Sequence, residues 1–329
     1  MSGMGEFDLI ARYFGERAGP QGEQVCLGIG DDCALLSPGP GMQLAVSADM
    51  LVEGRHFLST VAPDRLGHKA LAVNLSDLAA CGARPLAFLL SLSLPRVDEH
   101  FLDGFSRGLL ALAAQHACTL VGGDTTQGPL NIAITVLGEV PPGSALLRSG
   151  AKAGDDIYVS GQLGDARLAL EAFRGTLALD AAAFEQARQA MELPQPRVAL
   201  GLALRGVASS CADISDGLLG DLGHILSRSR VGATVDVDAV PGSELVFAQQ
   251  ELLRRTCLLT GGDDYELVFT APAARRDEVR RAGESAAVRV TRIGCVDVQP
   301  GLRLQDAQGR AVDNRFGSYD HFRGDGGGT

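Results

Sequence analysis

Aspartates that follow apolar runs are the residues of this chain best suited to chemistry. A carboxylate at the exit of a buried strand is held rigidly at a sheet edge, where layered folds bind ligands. Clustered carboxylates repel one another, and Mg²⁺ ions that also contact phosphate would neutralise them. The alternative is that each aspartate only caps a helix or starts a turn. Seven aspartates form this set, six of which follow an apolar run: Asp31, Asp32, Asp49, Asp77, Asp124, Asp213 and Asp216.

Asp77 lies in a predicted helix that begins near Asp64 and ends before Gly82 and Pro85. Asn74 is three residues earlier, so both polar side chains share one face among apolar neighbours. A buried carboxylate needs a basic partner or a metal ion, because an unpaired buried charge costs several kcal/mol. The alternative for Asp77 is a solvated helix face.

Glycine pairs precede acids twice, at 122–126 (Gly-Gly-Asp-Thr-Thr) and at 261–265 (Gly-Gly-Asp-Asp-Tyr). Paired glycines let the backbone approach a ligand where a side chain would block it. Ser215 and Asp216 begin a predicted helix, where N–H groups and the helix dipole favour a phosphate, and a bridging cation would accommodate Asp216. These segments predict a phosphate site.

Two basic side chains are candidates for contacts to an anionic substrate. Arg148 lies in a predicted loop and is suited to clamp a phosphate, although a loop arginine is as often solvated. His56 is a candidate substrate contact, although a lone histidine more often packs or faces water. The chain has no Walker A sequence and no protein-kinase motif set, which excludes those two nucleotide-binding types.

The elements that must position these residues alternate along the chain as strands and helices. Several predicted strands are adjacent, so the pattern predicts an α/β protein of α+β layers, with mixed sheets packed against helices. The 329 residues exceed what one core usually organises. A turn-rich segment after residue 140 predicts a domain boundary, giving domains 1–143 and 144–323 and a glycine-rich flexible tail, 324–329.

Composition narrows the class of partner. The net charge of -11 argues against nucleic acid and membrane surfaces but suits metal cations. The seven cysteines form no C-x-x-C pair, and neither a signal pattern nor a membrane-spanning apolar run occurs. We therefore expect a cytoplasmic enzyme or binding protein with free thiols.

Seven motifs, in their order along the chain, resemble those of the thiamine-monophosphate kinase family, within the superfamily of aminoimidazole-ribonucleotide synthetases. The resemblance covers almost the whole chain, and the order of the motifs is specific. They occupy residues 30–34, 47–57, 74–85, 122–126, 148–152, 213–218 and 261–267.

The resemblance implies a two-domain, aminoimidazole-ribonucleotide synthetase-like homodimer that joins through its N-terminal sheets. It also implies transfer of the ATP γ-phosphoryl group to thiamine monophosphate, with several Mg²⁺ ions. Because the acceptor is already a phosphate anion at neutral pH, we predict direct in-line transfer with no covalent phosphoenzyme. By matching position, the implied metal ligands are Asp31, Ser47, Asp49, Asp77, Asp124, Asp213 and Asp216. The implied ATP contacts are Gly123, Asp124, Arg148 and Ser215, and the implied thiamine-phosphate contacts are His56, Asp263, Asp264 and Tyr319. Among these, Asp77, Asp124, Asp216 and Arg148 are the expected catalytic residues.

Two departures from the family pattern bear on these assignments. Ala48 stands where the family often has Thr, which removes one possible metal ligand, and Asp263 stands where Glu is usual, which leaves the choice between Asp263 and Asp264 open. Another ATP-using member of the superfamily and a non-catalytic thiamine-phosphate or nucleotide binder are the alternative functions. A purely structural acidic domain is the third.

Overall fold

The computed structural model describes residues 6–15 and 22–313, which form two compact units. The first unit comprises residues up to Leu78 together with Ala83–Ala145, and the second comprises Ala79–Gly82 and the chain from Leu146 onward. The sequence predicts the first domain to end at residue 143. Tyr319 and the predicted tail, 324–329, lie outside the described residues.

A four-stranded mixed sheet with two long helices forms most of the first unit. The strand order is β3-β6-β4-β5, antiparallel except for the parallel pair β4 and β5. The chain begins with a short helix that continues as a π-helical turn, Ala11–Gly15. The elements are α1 (Glu6–Ile10), β1 (Val25–Leu27), β2 (Leu35–Leu36), β3 (Gln43–Val52), α2 (Pro63–Ala80), β4 (Arg84–Leu94), α3 (Glu99–Gln115), β5 (Thr119–Gln127) and β6 (Asn131–Val140).

Helix α2 is the central element of this unit. Almost every residue from Leu66 to Ala79 is buried, including Leu71 and Leu75 at 0% exposure. Helix α3 packs through Leu102, Phe105 and Leu109, and Asp98 caps its first turn.

Two of the predicted strand-end acids lie inside strands, which corrects the prediction. β3 continues past Asp49 to Val52, and β5 continues past Asp124 to Gln127. The sequence suggested strand ends because an acid interrupts each apolar run. Both segments instead stay paired along their length, because the cross-strand ladder continues past each acid.

One face of the first-unit sheet is apolar and exposed. Alternate residues of β3 point away from α2, and Leu44, Val46 and Met50 are 48%, 61% and 54% exposed. Their neighbours across the ladder, Leu137 and Ala133, continue the same face. A sheet face of this composition is unusual on an isolated surface.

The second unit is built on a seven-stranded mixed sheet of order β13-β12-β9-β11-β7-β10-β8. All neighbouring strands are antiparallel except β12 and β9. Its elements are β7 (Asp155–Ser160), α4 (Asp165–Phe173), α5 (Ala181–Glu192), α6 (Val198–Ala203), β8 (Ser210–Asp213), α7 (Leu218–Ser229), β9 (Gly232–Asp236), α8 (Glu244–Phe247), α9 (Glu251–Thr260), β10 (Leu267–Pro272), α10 (Arg276–Ser285), β11 (Val290–Asp297), β12 (Gly301–Gln305) and β13 (Ala311–Val312).

The main core of this unit lies between the sheet and α7. Ile157 and Val159 of β7 pack with Leu218, Leu222 and the later apolar residues of the same helix face. Tyr158, between them, points to the opposite side of the sheet and stacks on Phe269. In neither unit does a described helix have the length and apolarity to span a membrane.

Candidate functional site

In the first unit, β3 and α2 bring two of the predicted ligands into contact. The Ser47 hydroxyl donates a hydrogen bond to the Asp77 carboxylate. Asn74, buried one turn earlier on α2, accepts from the Asp49 backbone N–H at 3.1 Å and donates to the Ala70 carbonyl at 3.0 Å. These bonds fix β3 against α2 and leave Asp77 half-buried rather than solvated.

Asp124 occupies a different place in the same unit. It is exposed on β5 and pairs in register with Ser91 of β4, which in turn pairs with Ala133 of β6. That row belongs to the outward face of the sheet, whereas Ser47 faces α2. The described first unit therefore does not gather Asp124 with the Ser47–Asp77 pair.

Gly123 is required by the packing beside it. Its φ is +147°, and a Cβ at this position would collide with the Leu90 backbone on the neighbouring strand. The glycine that the sequence assigned to ligand approach thus also permits close strand packing.

Asp31 and His56 lie in turns of the first unit. Asp31 is exposed, and its Oδ1 accepts from the Asp32 N–H at 2.9 Å. His56 is half-buried, and its Nδ1 accepts from the Val52 N–H at 3.0 Å, which fixes the tautomer with the proton on Nε2. His56 therefore presents an N–H donor rather than an acceptor at its other nitrogen.

In the second unit, two segments that follow strand β8 and helix α9 run side by side. The Asp263 N–H donates to the Ser215 carbonyl at 2.9 Å, and the Tyr265 N–H donates to the Ile214 carbonyl at 2.8 Å. A Cβ on Gly262 would press against that same Ser215 carbonyl, so this close approach needs a glycine. The pairing brings Asp213, Ser215, Asp216 and Asp263 into one region of the second unit.

Asp221 holds the first of these segments and was not predicted as a site residue. It is 2% exposed in the first turn of α7, and its Oδ2 accepts from the N–H groups of Ser215 and Asp216, each at 3.1 Å. Burial raises its pKa to about 7, and the Asp216 charge adds to this, while the two N–H groups and Arg148 oppose it. An acid in the first turn of a predicted helix is the sequence signal that identifies such a cap.

The role of Asp221 corrects one prediction. The N–H groups of Ser215 and Asp216 are bonded to a carboxylate and are not available to a phosphate. Helix α7 begins only at Leu218. Asp221 does not bind the Ser215 hydroxyl, so this hydroxyl is the predicted donor that remains for a ligand.

The structure gives Asp263 and Asp264 different surroundings. Asp264 turns inward, where its Oδ1 accepts from the Gly164 N–H at 2.9 Å and its buried Oδ2 has no partner among the described residues. Burial raises the pKa of Asp264 well above the usual range, and nearby acids, Glu266 first among them, reinforce this. The Asp263 Oδ1 accepts from the Tyr265 hydroxyl at 2.9 Å. Asp264 therefore supports the loop, and Asp263 is the better placed of the two to meet a ligand.

A buried ion pair fixes the end of this loop. Glu266 accepts from Arg197 through both carboxylate oxygens, the Nε bond measuring 2.7 Å, and from the Ser160 hydroxyl. Both carboxylate oxygens of Glu266 are thereby paired, as a buried carboxylate requires. The pair ties β7 and β10 to the segment before α6.

Arg148 is exposed on a loop of the second unit, and α7 anchors its backbone. The Ser229 hydroxyl donates to the Arg148 carbonyl at 3.2 Å and accepts from the N–H groups of Gly150 and Ala151 at 3.1 Å. The Leu147 carbonyl also accepts from Cys211 N–H at 2.9 Å. The side chain is thus carried on a fixed backbone.

The chemistry of the donors fits a hard cation. The predicted ligands are carboxylate and hydroxyl oxygens, which Mg²⁺ prefers, with no thiol or imidazole among them. Within the described residues, no group of three acidic, histidine or cysteine side chains lies in metal-binding geometry. The donor type therefore supports magnesium, and the predicted ligands Ser47 and Asp77 are in direct hydrogen-bond contact.

Comparison with known proteins identifies both halves of the chain. Residues 30–140 match the model of the AIR synthase related protein N-terminal domain, and residues 152–307 match that of the C-terminal domain. Together the two matches cover most of the chain.

Individual relatives cover nearly its full length. The chain is 45% identical over 324 residues to the thiamine-monophosphate kinase of Salmonella typhimurium, spanning 97% of this chain and 98% of that protein. The crystal structure of thiamine-monophosphate kinase from Stenotrophomonas maltophilia K279a is 46% identical, with a TM-score of 0.82, over 88% of this chain and 93% of that one. AaThiL complexed with AMPPCP and TMP is 28% identical, with a TM-score of 0.76, over 87% and 89%.

Proposed function

The chain belongs to the thiamine-monophosphate kinase family, and on that premise we propose that it phosphorylates thiamine monophosphate with ATP to give thiamine diphosphate, the last step of that cofactor's biosynthesis. The observation that carries this proposal is the full-length match to kinases of this name, including one bound to AMPPCP and TMP. The paired segments of the second unit, which align Ser215 with Asp263, agree with it.

We propose Mg²⁺ as the metal because every predicted ligand offers a hard oxygen. The metal would neutralise the charge of the transferring phosphoryl group. Asp77 already meets Ser47, and Asp213 and Asp216 flank Ser215 on the segment that Asp221 holds. The proposed ligands are Asp31, Ser47, Asp49, Asp77, Asp124, Asp213 and Asp216.

For ATP, we propose contacts from Gly123, Asp124, Arg148 and Ser215. Arg148 is suited to the phosphates because its exposed guanidinium sits on an anchored loop. Ser215 contributes its hydroxyl, since Asp221 occupies its N–H.

We propose that four residues form the thiamine monophosphate site, namely His56, Asp263, Asp264 and Tyr319. His56 would donate from Nε2, because Nδ1 accepts from Val52. Asp263 would contact the acceptor directly, whereas Asp264 would hold the loop through Gly164. Tyr319 is proposed only because of its position in the family motif, since it lies outside the described residues.

The reaction we propose is direct in-line transfer without a phosphoenzyme. The acceptor is a phosphate group already anionic at neutral pH, so no strong general base is needed. The obstacle is repulsion between two polyanions, and the work of the protein is to position them and to balance the developing charge, in which Arg148 would participate.

We also propose that the protein is a homodimer that pairs through its first-unit sheets. The exposed row of Leu44, Val46 and Met50 supports this, because such a surface is normally covered by a partner. Sedimentation of a Val46→Lys variant tests this dimer: the expected result is a monomer, and an unchanged dimer would mean that another surface forms the contact.

We propose that the enzyme is cytoplasmic, where ATP is present and thiols stay reduced, in keeping with the free cysteines of the described residues.

The test of function is the appearance of thiamine diphosphate after adding ATP, Mg²⁺ and thiamine monophosphate, together with thermal midpoints for each ligand alone and combined. A ligand at about 100 times its Kd adds about 2.7 kcal/mol of stability. If nucleotide stabilises the protein in the presence of Mg²⁺ but no thiamine diphosphate forms, the phosphoryl acceptor is a different small molecule. The absence of any stabilisation would reject the proposal.

A further inference from the structure

A cavity in the second unit, distinct from the candidate site, concentrates positive charge. It has a volume of about 580 Å³ and lies between α10 and β11. Four arginines line it, namely Arg276, Arg280, Arg289 and Arg292, with Glu284 as the single acid. Such a concentration stands out in a chain of net charge -11.

A buried carboxylate orients two of these arginines. Asp156, 2% exposed, accepts from Arg276 Nε at 2.6 Å and Nη2 at 3.0 Å, and also from Arg292 Nε. The Tyr158 hydroxyl adds a bond at 3.3 Å. Among the described residues, Arg292 is bonded only through its Nε, so its terminal N–H groups remain for another acceptor.

The other two arginines differ in how their charge is balanced. Arg280 pairs with Glu284 at 2.7 Å and with Asp277 at 3.6 Å. The exposed guanidinium of Arg289 has no partner among the described residues. The backbone of Arg289 is fixed, because its carbonyl accepts from the Gly161 N–H at 2.8 Å. The Arg289 guanidinium and the terminal N–H groups of Arg292 therefore offer donors that no described residue accepts, on β11 and the segment before it.

The rest of the lining is apolar. Val279, Val288 and Val290, with the ring of Tyr158, provide a surface for a carbon skeleton. The volume falls within the range of small-molecule sites, about 300–1,000 Å³.

This cavity is separate from the candidate site. Tyr158 and Arg292 lie on the face of the sheet opposite to α7, because Ile157 and Val159 pack into the α7 core. None of the predicted site residues lines it.

We propose that this cavity binds a small organic anion, whose phosphate or carboxylate group meets Arg289 and Arg292 and whose apolar body lies on the valines. Guanidinium groups suit both anions, since each can accept paired N–H bonds. The proposal stands independently of the kinase reaction.

The experiment titrates the full chain, without ATP or Mg²⁺, with phenyl phosphate, benzoate, phenol and inorganic phosphate, followed by calorimetry and ligand-observed NMR. Phenyl phosphate or benzoate should bind, and the one that binds more tightly identifies the anionic group. Phenol, which lacks the charge, and inorganic phosphate, which lacks the body, should bind at least about ten-fold more weakly, as loss of a charge-assisted contact predicts.

Arg289→Ala should weaken binding about ten-fold, and Arg289→Glu should abolish it. Both variants should fold, since the exposed Arg289 side chain makes no hydrogen bond or ion pair with the described residues. Arg281→Ala is the matched control, because it removes the same charge from an exposed position on α10 that does not line the cavity. Equal affinity in the wild type and both Arg289 variants, or no binding by either aryl anion, would overturn the proposal. Kinase turnover of the same preparations reports on the proposed function separately.

Discussion

The two units of this chain hold their predicted site residues by different means. In the first unit, Ser47 and Asp49 are on a ten-residue strand and Asp77 is on an eighteen-residue helix, so whole elements define their positions. In the second unit, Ser215 and Asp263 are on irregular segments joined by a few backbone hydrogen bonds. A substitution in the first unit should therefore change the chemistry of one side chain, whereas one in the second should also change the geometry of its neighbours.

The largest expected effect comes from neutralising one acid in each unit. Asp77→Asn and Asp216→Asn should each lower kcat about 10²–10³-fold, as loss of a preorganised electrostatic contact does. Asp77→Asn should retain the wild-type melting temperature, because an amide oxygen can still accept from Ser47. Cys26→Ser, at an exposed thiol, is the control and should keep full turnover. Steady-state assays with saturating Mg²⁺ measure the effect, and wild-type turnover in Asp77→Asn would remove that residue from the mechanism.

The rigidity of the first unit can be tested at Gly123. Gly123→Ala should cost about 3 kcal/mol, at the upper end of overpacking, because its Cβ would meet the Leu90 backbone and part β4 from β5. Gly143→Ala is the matched control, since that glycine also has a positive φ but faces open space, and it should cost only about 1–2 kcal/mol. Urea denaturation measures both. Equal losses would mean that the backbone angle, and not the close approach, is what Gly123 provides.

These local contacts show what the sequence could and could not predict. Helix start and stop signals and the alternation of strands and helices predicted α2, α7 and the mixed α/β layers, because those signals are local. The same signals ended β3 at Asp49 and β5 at Asp124, where cross-strand pairing continues both strands. The role of Asp221 was also missed, because its partners, the N–H groups of Ser215 and Asp216, come near it only when the chain folds back before α7.

A matched pair of caps compares the two units directly. Asp221→Ala leaves the N–H groups of Ser215 and Asp216 without an acceptor and should cost about 2 kcal/mol and also lower kcat. Asp98→Ala, which removes the cap of α3 at Phe101 in the first unit, should cost about 1 kcal/mol and leave kcat unchanged. Denaturation and kinetics on both variants test the contrast. If Asp98→Ala lowers kcat as much as Asp221→Ala does, the two units do not differ in how local contacts support the site.

The smallest expected effect concerns one buried carboxylate in each unit that pairs with half-exposed arginines. Asp156→Asn and Glu139→Gln should each cost about 1 kcal/mol, because the partners Arg276, Arg292 and Arg84 are 58%, 49% and 44% exposed and water screens them.

For Asp156 the pH dependence follows from its surroundings. Burial alone would raise the pKa of this carboxyl, but the hydrogen bonds and charges of Arg276 and Arg292 outweigh burial and hold its pKa below the usual range. Its stabilising contribution is therefore fully present above the unfolded-state pKa of about 3.9 and is lost as the pH falls through the lower folded-state value. The gap between the urea midpoints of the wild type and Asp156→Asn, measured from pH 7 down to pH 3, should narrow toward the acid end. A gap that stays constant over this range would mean that the charge of Asp156 contributes nothing and that the asparagine only disturbs packing beneath Tyr158.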